Sequence, residues 1–312
     1  MGNASLLRTR TLLGAAVALA AGAMFAGSAN AITIYGVDNL GTTNVGSVGD
    51  RVLRFDSANP TGTVVTVGST GIANRGMSGL DFAGNGVLYS ASGFNLDGTA
   101  FGGSQLFTIN PNTGAGALVG NMNLPTGYSA TDLSWNPVTN QMQMIAANGT
   151  ANPAQLYTVN LASGAATLVG NITGLSGSLD IGLATNSAGV NYVHDIVTDR
   201  MYVLAGLAAT PMPGTIGVDT NFSQGMAINW SGGNQWFLGA IGSSPSFFSQ
   251  IRQVDNTTGA STLVASWPIH AANGLPEYEL GDLAMPSVPE PTGAMLFAAG
   301  GLAMAIKRRR AH

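Results

Sequence analysis

QLFTINPNTGAGALVG (residues 105–120) and QLYTVNLASGAATLVG (residues 155–170) align without a gap. Each opens on alternating apolar residues, Leu106 and Ile109 in the first copy, which is the pattern of a half-buried strand. Asn110 then starts a turn with a side chain able to cap backbone N–H groups. The Thr-Gly or Ser-Gly pair supplies the positive φ of a three- to five-residue hairpin loop. A second strand, Ala117-Leu118-Val119, follows. QIRQVDNTTGASTLVA (residues 250–265) is a third copy, and RVLRFDSANPTGTVVTVG (residues 51–68) is a looser fourth.

A second recurring hairpin lies upstream of these. GLDFAGNGVLYSASG (79–93), DLSWNPVTNQMQMIAANG (132–149) and AINWSGGNQWFLGA (227–240) each run a short strand into an aromatic, an Asn/Gly turn and another apolar strand. The two hairpins together make a four-stranded unit of about 50 residues, the signature of a β-propeller. Leu106 and Leu156 stand 50 positions apart, and Leu156 and Ile251 stand 95 apart, close to two units. The intervening unit is expected to match HDIVTDRMYVLAG (194–206) to NPVTNQMQMIAANG (136–149). Its second hairpin, near TIGVDTN (215–221), has lost the Thr-Gly turn.

The N-terminal region, ITIYG (32–36) and the hairpin from Arg51, lacks a first strand. ELGDLAM (279–285) supplies one, with Asp282-Leu283 echoing Asp132-Leu133. The expected fold is therefore all-β, a propeller of about five four-stranded blades whose last strand closes the first blade. Six small blades, with residues 171–190 recruited as extra strands, are the alternative.

Composition narrows the function. Between residues 32 and 286 there are 14 Asp plus Glu, five Arg and no Lys, so 5 − 14 = −9. Such a surface repels phosphate backbones and excludes nucleic acid as a partner. The chain has no cysteine, which removes disulfides, thiolate metal sites and cysteine nucleophiles.

The first 31 residues read as a signal peptide. Arg8 and Arg10 precede an apolar stretch, and Ala29-Asn30-Ala31 is an A-x-A site with cleavage expected after Ala31. At the other end, Val288-Pro289-Glu290-Pro291 is followed by an apolar run and then Lys307-Arg308-Arg309-Arg310. The run 292–306 is 15 residues, about 22 Å as a helix, against the 20 or so residues of a comfortable span. The cations would remain cytoplasmic. These tail residues resemble a PEP-CTERM sorting signal. The resemblance implies export in a Gram-negative bacterium and processing near the Pro-Glu-Pro motif by an exosortase, after transient insertion in the inner membrane. It further implies a destination at the cell surface or in an exopolysaccharide matrix. The domain organisation expected is 1–31 signal peptide, 32–286 propeller and 287–312 sorting signal.

Catalytic motifs are sparse. His194, His270 and His312 are isolated in sequence, and neither H-E-x-x-H, a P-loop nor G-x-S-x-G occurs. Aligning the first strands puts Asp132 and Asp282 at one equivalent position, and Asp81, Ser134 and Asn229 at another. Asp81, Asp132, Asn229 and Asp282 are thus the candidate channel-lining residues, since first strands surround a propeller's axis. No catalytic residue and no metal ligand set is assigned, and no cofactor is expected beyond calcium in that channel. FNLDGT, with Asn95, Asp97 and Thr99, carries too few ligands for a calcium loop. Phe82, Trp135 and Trp230, at one blade position, are expected to pack blade on blade, while Trp236 and Trp267 are open candidates for stacking on sugars. The leading reading is a non-enzymatic binding or structural propeller. The rival is a secreted propeller enzyme, of lactonase or sugar-oxidising type, with calcium at the axis.

Overall fold

The computed structural model describes residues 31–39, 50–73, 75–95, 103–148, 153–175, 180–220, 225–230, 235–242, 248–268 and 278–286. Residues 1–30 of the expected signal peptide, the expected sorting signal 287–312, His270 and most of FNLDGT lie outside them.

The chain is all-β. Its described strands form five four-stranded sheets with antiparallel neighbours, arranged as propeller blades. From the axis outward, the first sheet runs β20 (Leu280–Ala284), β1 (Thr33–Asp38), β2 (Arg51–Asp56) and β3 (Val65–Ser69). The second is β4 (Arg75–Phe82), β5 (Leu88–Asn95), β6 (Gln105–Ile109) and β7 (Gly116–Asn121). The third is β8 (Ser129–Asn136), β9 (Gln141–Ala147), β10 (Gln155–Val159) and β11 (Ala166–Asn171). The fourth is β12 (Asp180–Thr185), β13 (Asn191–Asp195), β14 (Arg200–Ala205) and β15 (Ala208–Pro211). The fifth is β16 (Met226–Asn229), β17 (Gln235–Gly242), β18 (Phe248–Val254) and β19 (Ser261–Pro268). The inner strands contact one another in the cycle β20, β4, β8, β12, β16 and back to β20.

The closing strand stands where the sequence places it: β20 pairs with β1, Leu283 opposite Gly36. The repeated turn is also as read. Asn110 Oδ1 accepts the N–H groups of Asn112 at 2.9 Å and Thr113 at 3.2 Å. Asn160 does the same for Ala162 and Ser163, and Asp255 for Thr257 and Thr258.

The fourth blade differs from expectation by one strand. Arg200–Ala205 is its third strand, not its second, and the following hairpin turns at Gly206-Leu207. TIGVDTN lies beyond the blade's last strand, and the region 171–190 supplies the innermost strand β12. The tight two-residue turn leaves no Thr-Gly signal to align, which is why the unit looked displaced.

Packing is between blades rather than within them. Tyr35, Val37 and Val52 of the first blade pack with Met77, Leu80, Phe82 and Phe107 of the second. Tyr89, Ala91 and Leu106 meet Leu133, Trp135 and Met144 of the third, and similar clusters fill the next two seams. Each fully buried Leu or Met contributes about 2 kcal/mol by leaving water. Phe82 stands edge-on to Tyr35 at 5.5 Å, and Trp135 is buried in its seam, as their shared position implies. Trp267 is buried against Phe55 and Tyr278, so it offers no face to a sugar. The Trp236 side chain lies outside the described part.

Outer strands carry a bulge at equivalent places, because Val67, Val119, Val169 and Val264 are each skipped in the pairing to the third strand. The bulge turns Leu118, Leu168 and Leu263 toward solvent. The glycine after it receives the next blade's turn. A Cβ on Gly120 would stand 2.0 Å from the Ser163 carbonyl oxygen, and one on Gly68 would stand 2.1 Å from that of Thr113. The Leu-Val-Gly and Thr-Gly halves of the repeat are therefore two sides of one blade contact. Gly120→Ala must push backbone from backbone, and is expected to cost about 2–3 kcal/mol. Differential scanning calorimetry should show a fall in Tm of about 5–10 °C; an unchanged Tm would remove this account of the repeat.

Candidate functional site

The axis is built by a bulge in four of the five inner strands. Ser78, Thr131, Ile181 and Gly281 are skipped in the pairing to the second strand. A bulge re-aims the residue beside it, and those residues are Gly79, Asp132, Gly182 and Asp282. Gly225 completes the layer, since a Cβ there would fall 1.6 Å from Asp282 Oδ1. Gly225 thus makes room for the Asp282 carboxylate, while Gly79 lies against the backbone at Asp132 and Leu133, and Gly182 against His194 and Met226. Asp81 stands two residues further along β4, level with Ser134 of β8.

Asp81 and Asp132 each join their own strand to the next blade. Asp132 Oδ1 accepts the Leu133 N–H at 2.6 Å, and Oδ2 accepts those of Leu183 at 2.6 Å and Met226 at 3.4 Å. Asp81 accepts the N–H of Phe82 at 2.8 Å and that of Trp135, across the seam, at 2.6 Å. Asp282 Oδ1 accepts the Leu283 N–H at 2.6 Å. Its Oδ2 is buried without an N–H donor in hydrogen-bonding geometry, and the Asp132 carboxyl interacts with Asp282 as its acid partner.

Burial and mutual repulsion push Asp132 well above the usual carboxylate range, and burial does the same to Asp282, with the Asp81 charge adding to it. A proton between the two carboxyls lets both stay buried. Asp81 is pushed up to about 7 by burial, against the two N–H groups that favour its charged form. Beside Asp81, a small axial cavity is lined by Ser134, Thr185, Ala227 and Met285 from the other blades. Its roughly 10 Å³ holds about one water.

The structure brings together three of the four residues expected at the channel. Asn229 stands apart: it ends β16 and pairs with Gln235 as Asn136 pairs with Gln141. It therefore corresponds to Asn136 rather than to Asp81 and Ser134. Trp230 is displaced with it, and its indole N–H donates to the Thr185 carbonyl at 2.9 Å. Among the described residues, no three carboxylate, imidazole or thiol side chains stand close enough to hold a metal ion together.

A second set of contacts escaped sequence reading. Asp50 Oδ2 accepts the Met77 N–H at 2.6 Å, Ser104 Oγ that of Ala130 at 3.0 Å, and Ser249 Oγ that of Leu280 at 3.0 Å. Each accepting residue immediately precedes a copy of the repeat, and each donor immediately precedes an inner-strand bulge. His194 is isolated in sequence, with no residue beside it that marks a site. It is fully buried, neither ring nitrogen has a hydrogen-bond partner, and burial pushes its pKa down to about 3.

No known family description matches the chain, and no curated protein matches it. Solved structures do. A Lactobacillus plantarum protein is 18% identical over 78% of this chain and 69% of its own, with a TM-score of 0.41. The periplasmic gluconolactonase of Pseudomonas aeruginosa is 16% identical over 78% of this chain and 70% of its own, at 0.41. Regucalcin from Agrobacterium tumefaciens, a calcium-binding protein, is 13% identical over 87% and 83% respectively, at 0.42. The architecture given above rests on this chain's own strand pairing.

Proposed function

We propose that the chain is an exported, non-catalytic propeller, sorted by its C-terminal signal to the cell surface or matrix, where it binds polysaccharide or scaffolds other components. The carrying observation is the use made of the axial acids. Five of the six carboxylate oxygens of Asp81, Asp132 and Asp282 accept backbone N–H groups of the inner strands. Those acids hold blades together, and the cavity beside them admits about one water. A substrate needs more room than that. The exported destination rests on the resemblance of residues 287–312 to a sorting signal, with exosortase and the secretion machinery as the partners it implies.

A second reading, a calcium-dependent lactonase, has one observation in its favour: Asp81, Asp132 and Asp282 are all buried at the axis. The two separate in one set of assays. The full chain is expected to bind members of a polysaccharide array equally with and without EDTA, and to leave gluconolactone at the blank rate. Calcium-dependent lactone hydrolysis abolished by Asp132→Asn would install the enzyme instead. Mass spectrometry of the mature surface protein tests the sorting: an intact Arg308-Arg309-Arg310 terminus would refute processing.

A further inference from the structure

The face of the fourth blade that meets the fifth holds an unusual set of side chains. His194 on β13 lies opposite Met201 on β14, and opposite Gly182 on β12. Cross-strand partners project to the same side of a sheet. A Cβ placed on Gly182 would stand 3.1 Å from the His194 Cβ, and 3.1 and 3.4 Å from Cγ and Cε of Met226, which comes from the fifth blade. Met212 joins Met201: its N–H donates to the Met201 carbonyl at 2.8 Å, and both side chains approach Gly259. Met201, Met212 and Met226 belong to one buried cluster with Ala184, Ile216 and Val254.

An imidazole with two unpartnered nitrogens is costly in such a place. Burying a polar group without a hydrogen bond costs about 1–3 kcal/mol. Leucine would fill an apolar seam without that penalty. The three methionines are long, flexible and polarizable, so their sulfurs can turn inward with little rearrangement. Together these groups form a neutral nitrogen and thioether donor set, with no carboxylate among them. Thioether donors select soft ions such as copper(I), whereas oxygen donors suit calcium and magnesium.

We propose that His194, Met201, Met212 and Met226 form a buried binding site for a soft monovalent metal ion, copper(I) or its analogue silver(I), in the seam between the fourth and fifth blades. One ring nitrogen ligates, and the thioethers complete the set. The ion ties β13 and β14 of one blade to β16 of the next. Since His194 is inaccessible in the closed seam, the ion enters as the two blades dock. An exported chain without cysteine has only such donors for a soft metal.

Silver(I) is the probe, because it needs no reductant. The full chain is refolded from urea with a small excess of silver nitrate in buffer free of chloride and thiols, then desalted, and silver per chain is measured by mass spectrometry. About one ion per chain is expected to be retained and to raise Tm, and its affinity should fall roughly tenfold or more in Met201→Leu and Met226→Leu. Met-to-Leu exchanges conserve volume and leave the fold intact, which the metal-free Tm of each variant checks. Met77→Leu and Met142→Leu, in other seams, should keep the ion. Failure of the wild type to retain silver, or equal loss in the Met77 and Met226 variants, overturns the site.

Discussion

Asp132→Ala is expected to lower stability by about 4–6 kcal/mol, since it strips acceptors from three buried N–H groups on three blades. Leu133, Leu183 and Met226 all donate to this one side chain. Asp132 is fully buried. For a domain of this size Tm should fall by about 8–20 °C. Asp132→Asn keeps one oxygen acceptor and should lose about half as much. The effect has a pH dependence of its own, because removing Asp132 also relieves its repulsion of Asp282. The loss is therefore larger in acid, where the buried acids keep their protons, than in base. The result also bears on function. A chain stabilised by Asp132→Ala would mean that the axis is held under electrostatic strain, as an active site is, and would favour the enzymatic reading.

How far the sequence reveals this site depends on which interactions repeat. The turn at Asn110, Asn160 and Asp255 is local, so its chemistry sits within five residues and reads directly. Closure by β20 was legible because Asp282-Leu283 copies Asp132-Leu133. The axial layer was half legible. Asp132 and Asp282 were recognisable as equivalents, but the glycines opposite them, Gly79, Gly182 and Gly225, carry their meaning only once the strands are placed around a ring. Asn229 was misplaced because an aromatic follows it, as Trp135 follows Ser134, and the aromatic dominated the alignment. The pairing of Asn229 with Gln235 shows a different register. His194 gave no signal at all. Its neighbours come from residues 182, 201 and 226, and no spacing within one strand announces a contact across a seam.

Raising the pH from 4 to 7 is expected to destabilise the folded chain once His194 is removed from the balance. Asp81 has a folded pKa of about 7 against an ordinary value of 3.8. It binds its proton more tightly when folded, so its contribution is complete below pH 3.8 and is lost as pH rises to about 7. Asp132 and Asp282, also raised by burial, act in the same direction. His194 works against them. Its folded pKa is about 3 against 6.5, so its contribution is present above pH 6.5 and lost as pH falls toward 3. Between pH 4 and 6.5 the slope of His194, up to about 1.4 kcal/mol per pH unit, offsets that of Asp81, and the two paired acids add to the loss. Above pH 6.5 His194 adds nothing further and the acids alone remain, so wild-type Tm should decline toward pH 8. His194→Met replaces the imidazole with a side chain suited to its methionine-lined seam and abolishes the opposing slope. In chelator-treated buffer its Tm should fall steadily from pH 4 to 7. Asp81 alone accounts for at most about 4 kcal/mol, and less where the axial cavity admits water. A flat profile in that variant would mean that the axial carboxyls ionise normally, and with that the shared proton between Asp132 and Asp282 would have to be abandoned.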